Sequence, residues 1–321
     1  MKGILNINKP ENMTSFDAVA ILRKVLGEKK IGHMGTLDPM ATGVLPITIG
    51  RATRVLDYLD CNLKEYVGEF TFGLKTDTDD IWGEVTERAS KDKIEKVTAD
   101  AVKKELESFK GVIDQIPPSY SAIKVDGKKL YQYARSGDSV EIDPRRVYVE
   151  SIDLMNFFQD DEGNKRGLFR IRCSKGTYIR SIARDLGDAL GLGATMSGLV
   201  RTRSGVFGLD NSIEMEKARN MSKEELLELM VPLDKVLEHF PKVTLGDWES
   251  RLFLNGTRLW ENQWKTFKEK REEIESYPLE LPEMYKRAYR VYGINRNGKS
   301  AFLGVGIKSD AGELKADKVF E

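Results

Sequence analysis

One carboxylate, Asp38, stands alone among small and flexible residues in Gly32-His33-Met34-Gly35-Thr36-Leu37-Asp38-Pro39-Met40-Ala41-Thr42-Gly43. The three glycines let the backbone approach a ligand closely, and Asp38-Pro39 favours a turn that aims the carboxylate out of any regular ladder. An aspartate titrates near 3.9 when unperturbed, so it is ionised at neutral pH and can act as a nucleophile or a base without a proton-removing partner. The plainer reading is a surface turn whose aspartate bonds only its own backbone, which suits an isolated Asp-Pro but not one flanked by three glycines and His33.

Positioning such a carboxylate requires rigid elements on both sides. Residues 3–7 alternate as a short strand, and Thr14 or Ser15 can cap a helix carrying Phe16, Val19, Leu22 and Val25 as far as Gly27, with the Asp38 loop following it. In 64–72, Tyr66, Phe70 and Phe72 share one face and Glu65, Val67, Glu69 and Thr71 the other, which places Tyr66 inward. Thr98 caps a helix whose Val102, Leu106 and Phe109 share a face. Residues 168–174 form a strand feeding a helix capped by Thr177, in which Ile182, Leu186 and Ala189 bury and Arg184 pairs with Asp188 on the surface. Arg180 falls in the first turn of that helix, where the helix dipole disfavours a cation, so a compensating anion such as Asp38 is expected beside it.

Further along, Ser222 and Glu225 form a capping-box pattern. Helical periodicity stops in 232–243, which marks a boundary before a strand-rich tail with strands over 289–294, 300–307, 313–315 and 318–320. The Lys- and Glu-rich insert 264–284 reads as a solvated helix or loop. Strands and helices intersperse without a βαβ rhythm, so an α+β fold with a mixed sheet is expected.

The chain has 321 residues, room for about two domains of roughly 150 residues each. It carries 51 Lys+Arg against 51 Asp+Glu, so any attraction for a polyanion must come from local patches. From Leu237 onward, 15 Lys+Arg face 14 Asp+Glu, which excludes a basic tail. Cys61 and Cys173 are far apart and have no paired metal spacing, and Asp77, Asp79 and Asp80 lack the ligand spacing of an EF-hand loop, so no metal is expected. No apolar run approaches the roughly 18 residues that span a bilayer, and no signal core opens the chain, so a reduced cytoplasmic protein fits.

The loop 32–43 resembles the catalytic loop of bacterial tRNA pseudouridine-55 synthases of the TruB type, and Asn8-Lys9-Pro10 with Met13-Thr14-Ser15 is similar to the element that opens that family. Where the family usually has glycine, this chain has Asn12, which also tolerates positive φ. The segment 115–137, from Gln-Ile-Pro-Pro-Ser-Tyr to Tyr-Ala-Arg-Ser-Gly, resembles the insertion that grips the tRNA T-loop in stand-alone members. Residues 174–187 resemble the segment bearing an active-site tyrosine and arginine. Leu199 in Gly198-Leu199-Val200-Arg201-Thr202 looks like the apolar residue that packs on the target base. The tail resembles, less specifically, a PUA-type RNA-binding barrel.

The resemblance implies a mixed-sheet pseudouridine synthase core over 1–236, with an RNA-gripping insertion at about 110–146, and a PUA-like β-barrel domain over 237–321. It implies isomerisation of the T-loop uridine at tRNA position 55 by base flipping, with Asp38, Tyr66 and Arg180 catalytic and His33, Tyr178, Leu199 and Lys9 binding substrate. No cofactor, guide RNA or membrane is implied, and the partner is the tRNA T stem-loop bound by a monomer. Arg180 is expected to hold Asp38 bidentately. Whether Asp38 attacks the ring or sugar, or withdraws the sugar 2′-proton, stays open. The alternatives are a non-catalytic RNA-binding or RNA-folding protein and an isomerase acting on another RNA, each separable by release of the uridine C5 hydrogen.

Overall fold

The computed structural model describes residues 2–138, 140–267 and 272–321. A ten-stranded mixed sheet runs through the larger part of the chain. Its first strand, β1 (Lys2–Lys9), leads into α1 (Ser15–Leu26), β2 (Ile31–His33), β3 (Thr42–Gly50) and, after a 3-10 turn, β4 (Lys64–Phe72). From one edge the order is Ile213–Glu214, β1, β3, Ala194–Ser204, β4, Lys165–Cys173, Arg145–Gln159 and Gly111–Gln115, with β2 hydrogen-bonded to β3. β1 and β3 pair antiparallel along their length, whereas Ala194–Ser204 meets β3 in parallel at Val200↔Thr42 and Arg201↔Gly43.

The alternation read for β4 holds as far as Phe70 and then gives way, since Thr71 is buried along with Tyr66, Phe70 and Phe72; Phe70 stacks on Phe169 of the neighbouring strand. Thr14 caps α1 with a full capping box, and Gly27 ends the helix in the left-handed conformation. Ala18, Val19, Leu22 and Leu26 form the buried stripe of α1, but Phe16 turns outward and is 62% exposed. Thr98 caps Ala99–Leu106, and Ser222 with Glu225 forms the expected box.

The tail forms a small sheet of five strands in the order Lys265–Phe267, Lys242–Thr244, Ala288–Ile294, Ser300–Lys308 and Leu314–Val319. This path runs open from one edge strand to the other, with no pairing that closes it into a barrel among the described residues. The two short strands expected near the C-terminus are one, Leu314–Val319, because Ala316 and Lys315 keep pairing across a register shift.

The insert after Trp264 is not simply solvated. Ile274 buries in a cluster with Val55, Tyr58, Phe240 and, just past the insert, Tyr285, and this shared core spans the expected boundary at 236/237. Lys268 to Arg271, the most charged part of the insert, lie outside the described residues. Among the described residues no helix is long and apolar enough to cross a membrane.

Candidate active site

The loop between β2 and β3 carries Asp38 to the mouth of a cleft of about 760 Å³, a size that admits a nucleotide. Backbone chemistry explains the loop's shape. Asn12 adopts φ 61 and donates its N–H to Pro39 O at 2.9 Å, so the position expected to tolerate positive φ does adopt it. At Gly43, φ is 102 and a Cβ would lie 2.3 Å from Arg201 O, so only glycine lets β3 approach the strand Ala194–Ser204 here. Ser15 at the start of α1 bonds Leu37 both ways, accepting from its N–H at 2.8 Å and donating to its carbonyl at 3.1 Å.

Arg180 meets Asp38 as the dipole argument requires, with Nε 3.0 Å from Oδ2. The guanidinium does not grip that carboxylate bidentately. Nη1 donates to Thr78 O at 2.9 Å and reaches Asp80 Oδ2 at 3.4 Å, while Nη2 donates to Tyr120 O at 3.0 Å. Four acceptors converge on a side chain that is only 5% exposed, which compensates its removal from water. The helix itself runs Ile179–Ala189 with Tyr178, not Thr177, in the capping position and no side chain capping it. Gln115 makes up for this: its amide donates to Tyr178 O at 3.1 Å and its carbonyl accepts from Tyr178 N at 2.8 Å.

The acidic turn before the insertion serves these arginines. Asp80, 8% exposed, accepts from Thr78 Oγ1 and Trp82 N besides facing Arg180, and burial raises its carboxyl pKa. Asp79 pairs with Arg184 at 2.9 Å, which displaces the expected Arg184–Asp188 pair; Asp188 instead meets Lys75 at 2.6 Å. Ala189, expected to bury, is exposed.

Tyr66 and Leu199 lie on adjacent strands, Gly68 pairing with Leu199, and both present buried apolar surface to the cleft. Tyr178 and His33 line it as well. Burial raises the Tyr178 hydroxyl pKa and lowers that of His33, to which Arg201 and Lys64 add by repulsion, so His33 is a neutral imidazole at pH 7. Its Nδ1 is buried without a hydrogen-bond partner among the described residues.

Lys9 is not brought to the cleft. It is fully buried, and its ammonium is spent on Pro10 O at 2.8 Å, Met13 O at 2.6 Å and Pro39 O at 3.4 Å, which ties the start of α1 to the Asp38 loop. Burial pushes its pKa down to about 8. Sequence reasoning missed four residues around the site: Arg201, Asp80, Lys64 and Gln115. Arg201 is fully buried and donates to Val44 O, Gly35 O and Thr36 O at 2.6, 3.2 and 3.4 Å, holding both ends of the loop. Nothing in the strand sequence singles it out, since Arg203 lies two residues on in the same strand.

Residues 23–179 match the TruB family pseudouridylate synthase N-terminal domain and residues 180–238 the tRNA pseudouridylate synthase B C-terminal domain. A tRNA pseudouridine synthase B of Clostridium tetani is 42% identical over 81% of this chain and 86% of its own length. That of Clostridium perfringens is 38% identical over 99% of both, and that of Synechocystis 44% identical over 81% and 86%. Among solved structures, a chain of a Cbf5-Nop10-Gar1 complex superposes with a TM-score of 0.67 at 26% identity, over 99% of this chain and 85% of that one. A chain of an archaeal box H/ACA sRNP Nop10-Cbf5 complex, at 23% identity, shares the fold with the same score. Matched along almost its whole length, this chain belongs to the TruB family of pseudouridylate synthases.

Proposed function

We propose that this protein converts the T-loop uridine at position 55 of tRNA to pseudouridine, acting as a monomer in the cytoplasm without guide RNA. The relatives' name, tRNA pseudouridine synthase B, supports the substrate. The observation that carries the chemistry is the Asp38–Arg180 pair at 3.0 Å in a cleft walled by Tyr66 and Leu199.

The uridine must leave its stack to reach Asp38. Extrusion costs a few kcal/mol, and stacking on an aromatic ring returns about 1–3 kcal/mol. Tyr66 supplies that ring and Leu199 the apolar surface beneath it. Asp38, already an anion, either attacks the ring or sugar or withdraws the 2′-proton while the C–N bond breaks, after which the base turns and C5 bonds to C1′. Arg180 orients the carboxylate. His33, neutral, orders or contacts the nucleotide, and Tyr178 sits beside it. Lys9 acts on the loop and not on the nucleotide. Body 1–236, with its insertion at about 110–146, carries the reaction, and the tail 237–321, a PUA-like module in this reading, adds RNA contact.

The fold is shared with chains from ribonucleoprotein complexes, so a guide-dependent isomerase is the competing reading. Tritium release from C5-labelled uridine in an unmodified tRNA transcript, with the purified protein alone, separates the two. Release without added RNA guide is the expected result; release only with a guide would overturn the stand-alone reading.

A further inference from the structure

Lys64, the first residue of β4, lies on the wall of the catalytic cleft and also on the wall of a second cleft of about 460 Å³ beside it, and so stands where the two meet. Among the described residues its ammonium makes no hydrogen bond or ion pair, although the cations around it are satisfied: Arg201 by three carbonyls and Lys175 by Asp60 at 2.7 Å. No carboxylate among the described residues compensates it. Burial first, then repulsion from Arg201 and Lys175, push its pKa down to about 8. The Asp38 loop is also shaped around it. Gly35 takes φ 118, a conformation that favours glycine, and a Cβ there would lie 2.8 Å from Lys64 Nζ, so the ammonium packs directly against the loop at this residue.

A half-buried cation without a partner is costly unless an anion arrives. Resting on the proposed reading that RNA enters this cleft, we infer that Lys64 is a positioning residue that receives a backbone phosphate of the target nucleotide. A base inserted between Tyr66 and Leu199 leaves its phosphodiester at the cleft mouth, and the junction of the two clefts is where the strand can pass. The ammonium there registers the flipped nucleotide against Asp38, a contact available to any base sequence because it reads only the backbone.

The test uses the full chain, its Lys64→Gln and Lys64→Arg variants, and T stem-loop RNAs with a single methylphosphonate 5′ or 3′ to the target uridine. The wild type is expected to lose about tenfold in KM at one of the two positions, the scale of a charge-assisted contact. Lys64→Gln is expected to lose as much with the all-phosphate RNA, to lose nothing further at that position, and to lower the salt slope of binding by about one; Lys64→Arg restores most of the affinity. A methylphosphonate penalty that persists in full in Lys64→Gln, or a wild type indifferent to both positions, overturns the phosphate contact. A wild type inactive on the unmodified stem-loop and on whole tRNA overturns the functional reading, and the contact with it.

Discussion

Arg180 Nε stands 3.0 Å from Asp38 Oδ2, while its two terminal nitrogens are taken by Thr78 O, Asp80 and Tyr120 O. The guanidinium therefore joins four separate segments at one point: the reactive loop, the acidic turn, the insertion and its own helix. Orientation of the carboxylate depends on a hub.

Asp38→Asn removes the charge with almost no change in volume. Turnover is expected to fall by at least the 10² to 10⁴-fold typical of a lost acid-base group, with RNA affinity changed only a few-fold. Tritium release and filter binding measure the two; turnover near the wild-type rate would remove Asp38 from the chemistry.

Arg180→Lys keeps the charge but supplies three donors from one atom, which cannot reach acceptors spread around a planar fork. The expected result is a kcat loss of tenfold or more together with about 1–3 kcal/mol of stability, since Thr78 O and Tyr120 O lose a donor. Urea titration and saturated kinetics read these separately, and normal kinetics would show that the pair with Asp38 is incidental.

Tyr66→Phe and Tyr66→Leu are expected to diverge. Phe keeps the aromatic face and so keeps binding, whereas Leu leaves the flipped base without a stacking surface, at a cost of about 1–3 kcal/mol. If the hydroxyl also assists removal of the C5 hydrogen, Phe stalls before tritium release. Full activity in the Leu variant would exclude any role for this ring.

Arg201→Met should destabilise the fold by about 3 kcal/mol or more, because Gly35, Thr36 and Val44 would each keep a carbonyl without its donor in a buried place. Activity should fall beyond what the unfolded fraction explains, as both ends of the Asp38 loop loosen. Denaturation together with activity per folded molecule decides it.

RNA affinity should decline as pH rises through about 8, where Lys64 loses its proton. The sign follows from the charged form being the one that attracts phosphate: the contribution is present below that pH and lost above it. Cys173 facing it is pushed up to about 11 and stays neutral in this window, and His33 is already neutral. Lys9 also titrates near 8 but does not line the cleft, so Lys64→Gln is expected to remove the slope between pH 7 and 9. A slope unchanged in that variant would refute the assignment.

The sequence by itself determined what local chemistry decides. Alternation set β4 and the inward face of Tyr66, capping residues set the starts of α1 and of the helix Ala99–Leu106, and the misfit of a cation in a helix's first turn called for an anion near Arg180. The glycines around Asp38 marked the loop because positive φ and close approach are properties of single residues. Partners of long charged side chains were settled only by the tertiary structure. Arg184 chose Asp79 over Asp188, Lys9 turned from the cleft to three carbonyls, and Arg180 divided its fork, since each choice depends on which segments fold to within a few ångströms. Arg201 and Lys64 were silent in the sequence for the same reason. One is defined by carbonyls more than a hundred residues away and the other by a junction of two clefts, and neither relationship exists until the sheet has formed.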